Sequence, residues 1–265
     1  MIGLPGPAHV ASAALAGHVL AAGISPPSQL WYTTRATGVV ALVLLTATVA
    51  LGIAGIARLE TRAVPGIVRA GLHRNLSLLA VAFVAVHVVT TVLDPFAGIG
   101  FASAVIPFSS SYRPLWLSLG TIAFDLLLAV ILSSLVRSRL PYRAWRAVHW
   151  LAYACWPIAM WHGLGTGTDS RLPWLLALDA ACVLVVALAA SWRLRMSQRA
   201  DLRKAGLLAT VGFVLATVVF AAIGPLQPGW ARRAGTPVHA AGAMHMKTAR
   251  VDRGAPTAVH ARDYA

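Results

Sequence analysis

LHRNLSLLAVAFVAVH, residues 72–87, begins and ends its apolar run on histidine: His73 and His87 lie fourteen residues apart, with twelve mostly aliphatic or small residues between Arg74 and His87. A stretch this apolar reads as a membrane helix, and ionisable residues inside such helices are rare enough to demand a function. A second stretch repeats the pattern. In HWLAYACWPIAMWH, residues 149–162, histidines again stand at both ends, thirteen residues apart.

The rest of the chain agrees with a membrane reading. Of 265 residues 58% are hydrophobic and 11% charged, and the mean hydropathy is +0.73. Six segments approach the roughly 20 apolar residues that a bilayer core requires: 36–57, 75–93, 115–136, 147–163, 173–192 and 205–224. The expected fold is therefore all-α, a polytopic bundle of six transmembrane helices over residues 31–224. Residues 1–30 form an extracytoplasmic or weakly inserted segment. Within it Ala8–Ile24 is uncharged, rich in alanine and glycine, and at the lower limit of a span. A surface-lying segment is favoured there over a seventh helix, which leaves His9 and His18 out of the ligand set.

A net charge of +14 raises the question of nucleic acid, but its distribution answers to topology. Arg58, Arg62, Arg69 and Arg74 fall in the first connection, Arg137, Arg139, Arg143 and Arg146 in the third, and Arg193, Arg195, Arg199, Arg203 and Lys204 in the fifth. The opposite side holds Arg35, Arg113 and Arg171. By the positive-inside rule the odd connections are cytoplasmic and both termini lie outside. Partners are then membrane lipid and no nucleic acid, with the chain multi-pass in the cell membrane.

Geometry turns the histidine spacing into sites. At 1.5 Å per residue each pair is separated by about 20 Å along its helix. The second and fourth spans run in the same direction, so His73 is level with His149 and His87 with His162. Two level pairs of imidazoles suit two bis-histidine haem irons, one near each face, with both axial positions filled. Propionates then call for cations near the membrane surfaces. Arg58, Arg69, Arg74 and Arg146 are the inner candidates; Arg35, Arg113, Tyr112, Thr166 and Thr168 are the outer ones. Taken singly, each arginine is favoured as an ordinary topology determinant or snorkelling residue over a propionate partner.

Helical phase separates the pairs. A step of fourteen residues returns to within about 40° of the starting face, whereas thirteen misses by about 140°. His149 and His162 therefore need an irregularity between them, and Pro157 is the expected place for it.

Other readings remain. Four histidines could line a metal-ion transporter, although such sites add carboxylates or thiolates. They could also be hydrogen-bonded residues of a membrane anchor for a partner redox enzyme. Asp125 and Asp179 are single intramembrane acids, proton carriers or structural groups. Cys155 and Cys182 fall inside spans as small hydrophobes. No side chain stands out as a catalytic acid, base or nucleophile. Residues 225–265, rich in Gly, Ala, Pro and Arg, read as a disordered extracytoplasmic tail, in which His239, Met244, His245 and Met246 are incidental or soft-metal ligands.

Residues 72–87 and SSLVRSRLPYRAWRAVHWLAYACWPIAMWHGLGTGTD (133–169) resemble the ferric reductase-like transmembrane domain family, which includes the membrane parts of NADPH oxidases, metalloreductases and the haem subunit serving periplasmic methionine sulfoxide reductase. TTRATGVVALVLLTATVALG (33–52) and VIPFSSSYRPLWLSLGTIAFDLLLA (105–129) add to the likeness, which extends over about residues 31–195. The resemblance implies haem b, two groups, on His73, His87, His149 and His162, and a family arginine at Arg35. It implies a transmembrane haem oxidoreductase component carrying electrons through stacked haems to an external acceptor. The chain shows no GxGxxG after a strand, so a flavoprotein or quinol, with FMN or quinone as exchangeable carrier, is the expected donor.

Overall fold

The computed structural model describes residues 28–56, 66–95, 98–167 and 169–237. Ala8–Ile24, Arg58, Arg62, Thr168 and the histidines and methionines of the tail lie outside the described residues. Nine α-helices follow in order among the described residues: α1 Gln29–Ile56, α2 Gly66–Leu93, α3 Ala102–Val105, α4 Pro114–Leu135, α5 Tyr142–His149, α6 Leu151–Thr166, α7 Pro173–Arg195, α8 Ala200–Ile223 and α9 Trp230–Arg233. A 3-10 turn, Arg137–Arg139, precedes α5. No strand occurs among the described residues.

Helices α1, α2, α4, α7 and α8 are each long and apolar enough to cross a membrane. Prolines open α4 and α7 at the first helical position, where a missing N–H costs nothing. The sixth helix of the bundle, α6, is shorter at 16 residues. It is also the best buried, with Cys155, Trp156, Met160 and Leu164 packed out of contact with solvent.

Packing on α6 comes from three sides. Cys155 donates its Sγ–H to the Ala123 carbonyl of α4 at 3.2 Å. Trp156 Nε1 donates to Thr46 of α1 at 2.9 Å, and Trp161 Nε1 to Thr217 of α8 at 2.9 Å. Val49, Ile53, Trp156, Met160, Leu164 and Cys182 form the core between these helices. Large aliphatics such as Ile67, Leu135 and Leu208 point outward, as expected where the surrounding solvent is lipid. Hydroxyls inside the spans are silenced locally: Thr46, Thr90 and Thr217 each donate to the carbonyl four residues back.

Helices α1 and α2 pack antiparallel, as do α4 and α6, so Arg74, Arg137, Arg139, Arg193 and Arg195 gather at one end of the bundle. This multi-pass membrane architecture matches the expectation from hydropathy. One detail does not: α6 runs through Pro157 without a break, and the interruption falls at Trp150. There the Tyr153 N–H bonds the Trp150 carbonyl at 3.0 Å, a tighter turn than the α-helix, so an irregularity does lie between His149 and His162 but at Trp150.

Residues 225–237 also differ from the expectation of disorder. After α8 the chain turns back over the same end of the bundle, forms α9, and brings Gly235 and Thr236 against the start of α4. Aromatic contacts and backbone hydrogen bonds supply what composition did not suggest.

Candidate functional site

Four histidines meet in two pairs. His73 faces His149 with ring centres 6.4 Å apart and planes at 67°; His87 faces His162 at 6.3 Å and 81°. Helix α2 supplies one partner of each pair. The other partners come from the last residue of α5 and the fourth turn of α6.

Backbone carbonyls orient three of the rings. His87 Nδ1 donates to the Thr34 carbonyl at 2.8 Å and His73 Nδ1 to the Thr48 carbonyl at 3.1 Å, both on α1. His162 Nδ1 donates to the Trp116 carbonyl of α4 at 2.8 Å. In each case the bond fixes the ring and leaves Nε2 as the nitrogen turned away from the helix that holds it. His149 differs, since its Nδ1 is buried without a hydrogen-bond partner and its ring stacks on Trp145 at 5.0 Å. Arg137 in turn covers Trp145, its guanidinium carbon 4.4 Å from the ring centre.

Glycines make room for the imidazoles. A Cβ on Gly38 would stand 2.9 Å from His87 ring atoms, and one on Gly120 only 2.5 Å from those of His162. Gly52 faces His73 with slightly more room, 3.4 Å. Gly38 and Gly52 are fourteen residues apart on α1, the same interval as His73 and His87 on α2. That matched spacing is the signal by which sequence reasoning could have found them.

A cavity of about 240 Å³ adjoins the outer pair, bounded by His87, His162, Gly38, Gly120 and Arg35 among others. Tyr112 and Thr166 also line it. Arg35 holds Asp169 at 2.7 Å and lies over the ring of Trp31. Arg113 does not line this cavity. It is buried, donating to the Gly165 carbonyl at 2.9 Å and to Thr236 Oγ1 at 2.8 Å, and burial lowers its pKa from the ordinary guanidinium value. Tyr112, buried beside it, has its pKa raised above 10.0 by the same loss of solvent.

At the inner end Arg74 and Arg146 are exposed, and Arg146 lies against Tyr142 and Trp150. Arg69 is half-buried where α2 passes Gly55 of α1. Asp125 and Asp179 are both half-buried, with Asp179 on the wall of the outer cavity.

These residues fit haem. Two metal–nitrogen bonds of about 2 Å, plus roughly 1.1 Å from each nitrogen to its ring centre, would span about 6.2 Å between two imidazoles whose Nε2 atoms faced one another. Both observed pairs are within 0.2 Å of that value. Neutral nitrogen donors in facing pairs, fixed through Nδ1 and flanked by glycine and aliphatic side chains, are the donor set an apolar porphyrin iron accepts. Among the described residues no cluster of three or more His, Cys, Asp or Glu side chains is placed to hold a bare metal ion.

Residues 37–160 match the family model for the ferric reductase like transmembrane component. The match contains His73, His87 and His149 and ends two residues before His162, which the structure nevertheless sets opposite His87. No curated protein and no solved structure matches the chain.

Proposed function

Residues 37–160 form a ferric reductase-like transmembrane domain, and from that premise we propose that the protein is a membrane electron-transfer component holding two haem b groups, His73 with His149 at the inner level and His87 with His162 at the outer. The observation that carries this reading is the meeting of four histidines in two level pairs of one bundle, with ring centres 6.4 and 6.3 Å apart.

Bound haem supplies a one-electron ferric/ferrous couple at each pair. The chain's own residues do the rest. His73 with His149, and His87 with His162, would hold each group from both sides and leave no open position for oxygen, which favours electron transfer over oxygen binding. Thr34, Thr48 and Trp116 carbonyls hold the rings, and Gly38, Gly52 and Gly120 let them approach the neighbouring helices. Apolar faces of α1, α2, α4 and α6 exclude water. Arg35 offers a cation beside the outer cavity.

The arginine-rich end is placed in the cytoplasm by the positive-inside rule, with both termini outside. Electrons then enter at the His73–His149 end from a flavoprotein or quinol and leave toward an acceptor on the extracytoplasmic side.

Haem content per chain, measured with a redox titration on the purified protein, tests the proposal. Two low-spin haems titrating as one-electron couples are expected. A protein without low-spin haem absorbance is not an electron conduit of this kind, and metal flux into vesicles by such a haem-free protein would support transport instead.

A further inference from the structure

Arg113 and Met160 are the two largest fully buried side chains among the described residues, and a guanidinium in that position needs an explanation. Its donors meet carbonyl and hydroxyl oxygens. NH1 reaches the Gly165 carbonyl at 2.9 Å, Nε reaches Thr236 Oγ1 at 2.8 Å, and the backbone N–H bonds the Gly235 carbonyl at 3.0 Å. The residue adopts the left-handed conformation, φ 43°, which a non-glycine residue takes only where its surroundings fix it.

These contacts tie three remote pieces of chain together: the start of α4, the last turn of α6, and the strap that follows α8. Trp230 of the strap donates its Nε1–H to the same Gly165 carbonyl at 3.1 Å. Its ring lies 5.4 Å from that of Trp116, which is itself stacked on Phe220 at 4.5 Å. Gly235 takes φ 86°, and a Cβ there would press on Pro114 at 3.1 Å.

Gly165 is three residues past His162. Its backbone lies flush on the indole of Trp116, where a Cβ would overlap the ring at 2.3 Å. The carbonyl of that same Trp116 accepts the Nδ1–H of His162. Anything that fixes Gly165 against Trp116 therefore fixes the acceptor that aims His162.

We propose that Arg113 is a positioning residue for the outer ligand His162, and that the strap of residues 224–237 braces the helix ends behind the outer site, locked by Arg113 and Trp230 on the Gly165 carbonyl. This rests on the haem reading of the histidine pairs. It adds to that reading a device from outside the matched segment 37–160, since Trp230 and Thr236 follow the last span.

The test uses the full-length haem protein and the variants Arg113→Gln, Arg113→Lys, Trp230→Phe and Thr236→Val. Haem per chain, the midpoint potential of each centre and its low-spin electron paramagnetic resonance signal are read. The inner centre, identified as the one lost in His73→Ala, serves as an internal control for folding. Arg113→Gln is expected to weaken haem retention at the outer site by about 10-fold, the scale of losses on removing a group that orients a metal ligand. Trp230→Phe and Thr236→Val should shift the outer signal and potential in the same direction by less, and Arg113→Lys should restore part of the retention. The inner centre should stay unchanged throughout.

Outer-centre occupancy, potential and signal at wild-type values in both Arg113→Gln and Trp230→Phe would overturn the inference. So would parallel loss of both centres, which signals a general folding role. If Arg113→Gln does not accumulate, the two milder variants decide. Wild-type protein without haem counts against the function proposed above, and is distinguishable from either result.

Discussion

Gly120 lies so close to His162 that the imidazole occupies the space where a methyl group would be: Cε1 and Nδ1 are both 2.5 Å from the ideal Cβ position. Gly38 stands in the same relation to His87 at 2.9 Å, and Gly52 to His73 at 3.4 Å. A graded series of alanine substitutions follows from these distances. Gly120→Ala must displace the His162 ring and should lose most of the outer haem. Gly38→Ala should lose less, and Gly52→Ala, at ordinary contact distance or slightly inside it, should keep near wild-type content. Haem per chain and the low-spin absorbance band check the order; equal effects at all three positions would contradict it.

Ligand substitutions should act by level rather than by helix. His73→Ala and His149→Ala, on different helices, should each remove the same redox transition, and His87→Ala and His162→Ala the other. A titration in which the two α2 variants behave alike and differ from the α5 and α6 variants would exclude the pairing.

The level pairing was legible in the sequence because it depends only on span direction and the rise per residue. The phase adjustment was not. Proline at 157 is a visible helix breaker, yet a buried helix can lose one hydrogen bond and remain straight enough, whereas nothing in the residue Trp150 announces a tighter turn. The strap was hidden for a different reason. Residues 225–237 have the composition of a tail, and their order comes from partners more than sixty residues away: Gly165, Trp116 and Arg113. The glycines facing His73 and His87 were detectable in principle, since their interval on α1 repeats that of the histidines on α2. Arg35 and Arg113 looked equivalent as outer cations; only tertiary packing separates one beside the cavity from one enclosed by carbonyls.

Thr46 accepts the indole proton of Trp156 while donating to the Leu42 carbonyl, and Thr46→Val leaves a buried indole N–H without an acceptor. Interhelical hydrogen bonds in membranes couple by about 0.6 kcal/mol on average and rarely beyond 1.7. Thr46→Val should therefore destabilise the bundle by about 1 kcal/mol, and a double-mutant cycle with Trp156→Phe should return a coupling of about 0.6 kcal/mol. Denaturant unfolding in detergent reads both. Zero coupling would mean that the bond contributes only packing.

At the outer end, Arg35 and Asp169 form an ion pair whose carboxylate is 43% exposed. A pair so open to solvent is worth about 0–1 kcal/mol. Asp169→Asn should change thermal stability little while Arg35→Ala, which also strips a cation from the cavity wall, should shift the potential of the outer centre. Equal and large stability losses in both variants would point to a buried pair instead.

Tyr112 gives an alkaline signature. Burial favours its neutral form, so its folded pKa is above 10.0 while the unfolded value is near 10. Below the unfolded value both states hold the proton and the full contribution to stability is present. As pH rises above about 10 the unfolded chain loses the proton first, so stability declines until the folded group also ionises. Tyr112→Phe should flatten that decline, measured as unfolding free energy from pH 9 to 11, and an unchanged slope would contradict the assignment.

The bond between Arg113 and Thr236 closes 123 residues of chain. At about 5–20 residues per second, a ribosome takes roughly 6–25 s to go from one to the other. During that interval α4 to α8 are being made while the guanidinium at the head of α4 still lacks the hydroxyl it will hold. The rim of the outer pair is thus the last part of the bundle to be finished in biosynthesis, after both of its histidines are already in place.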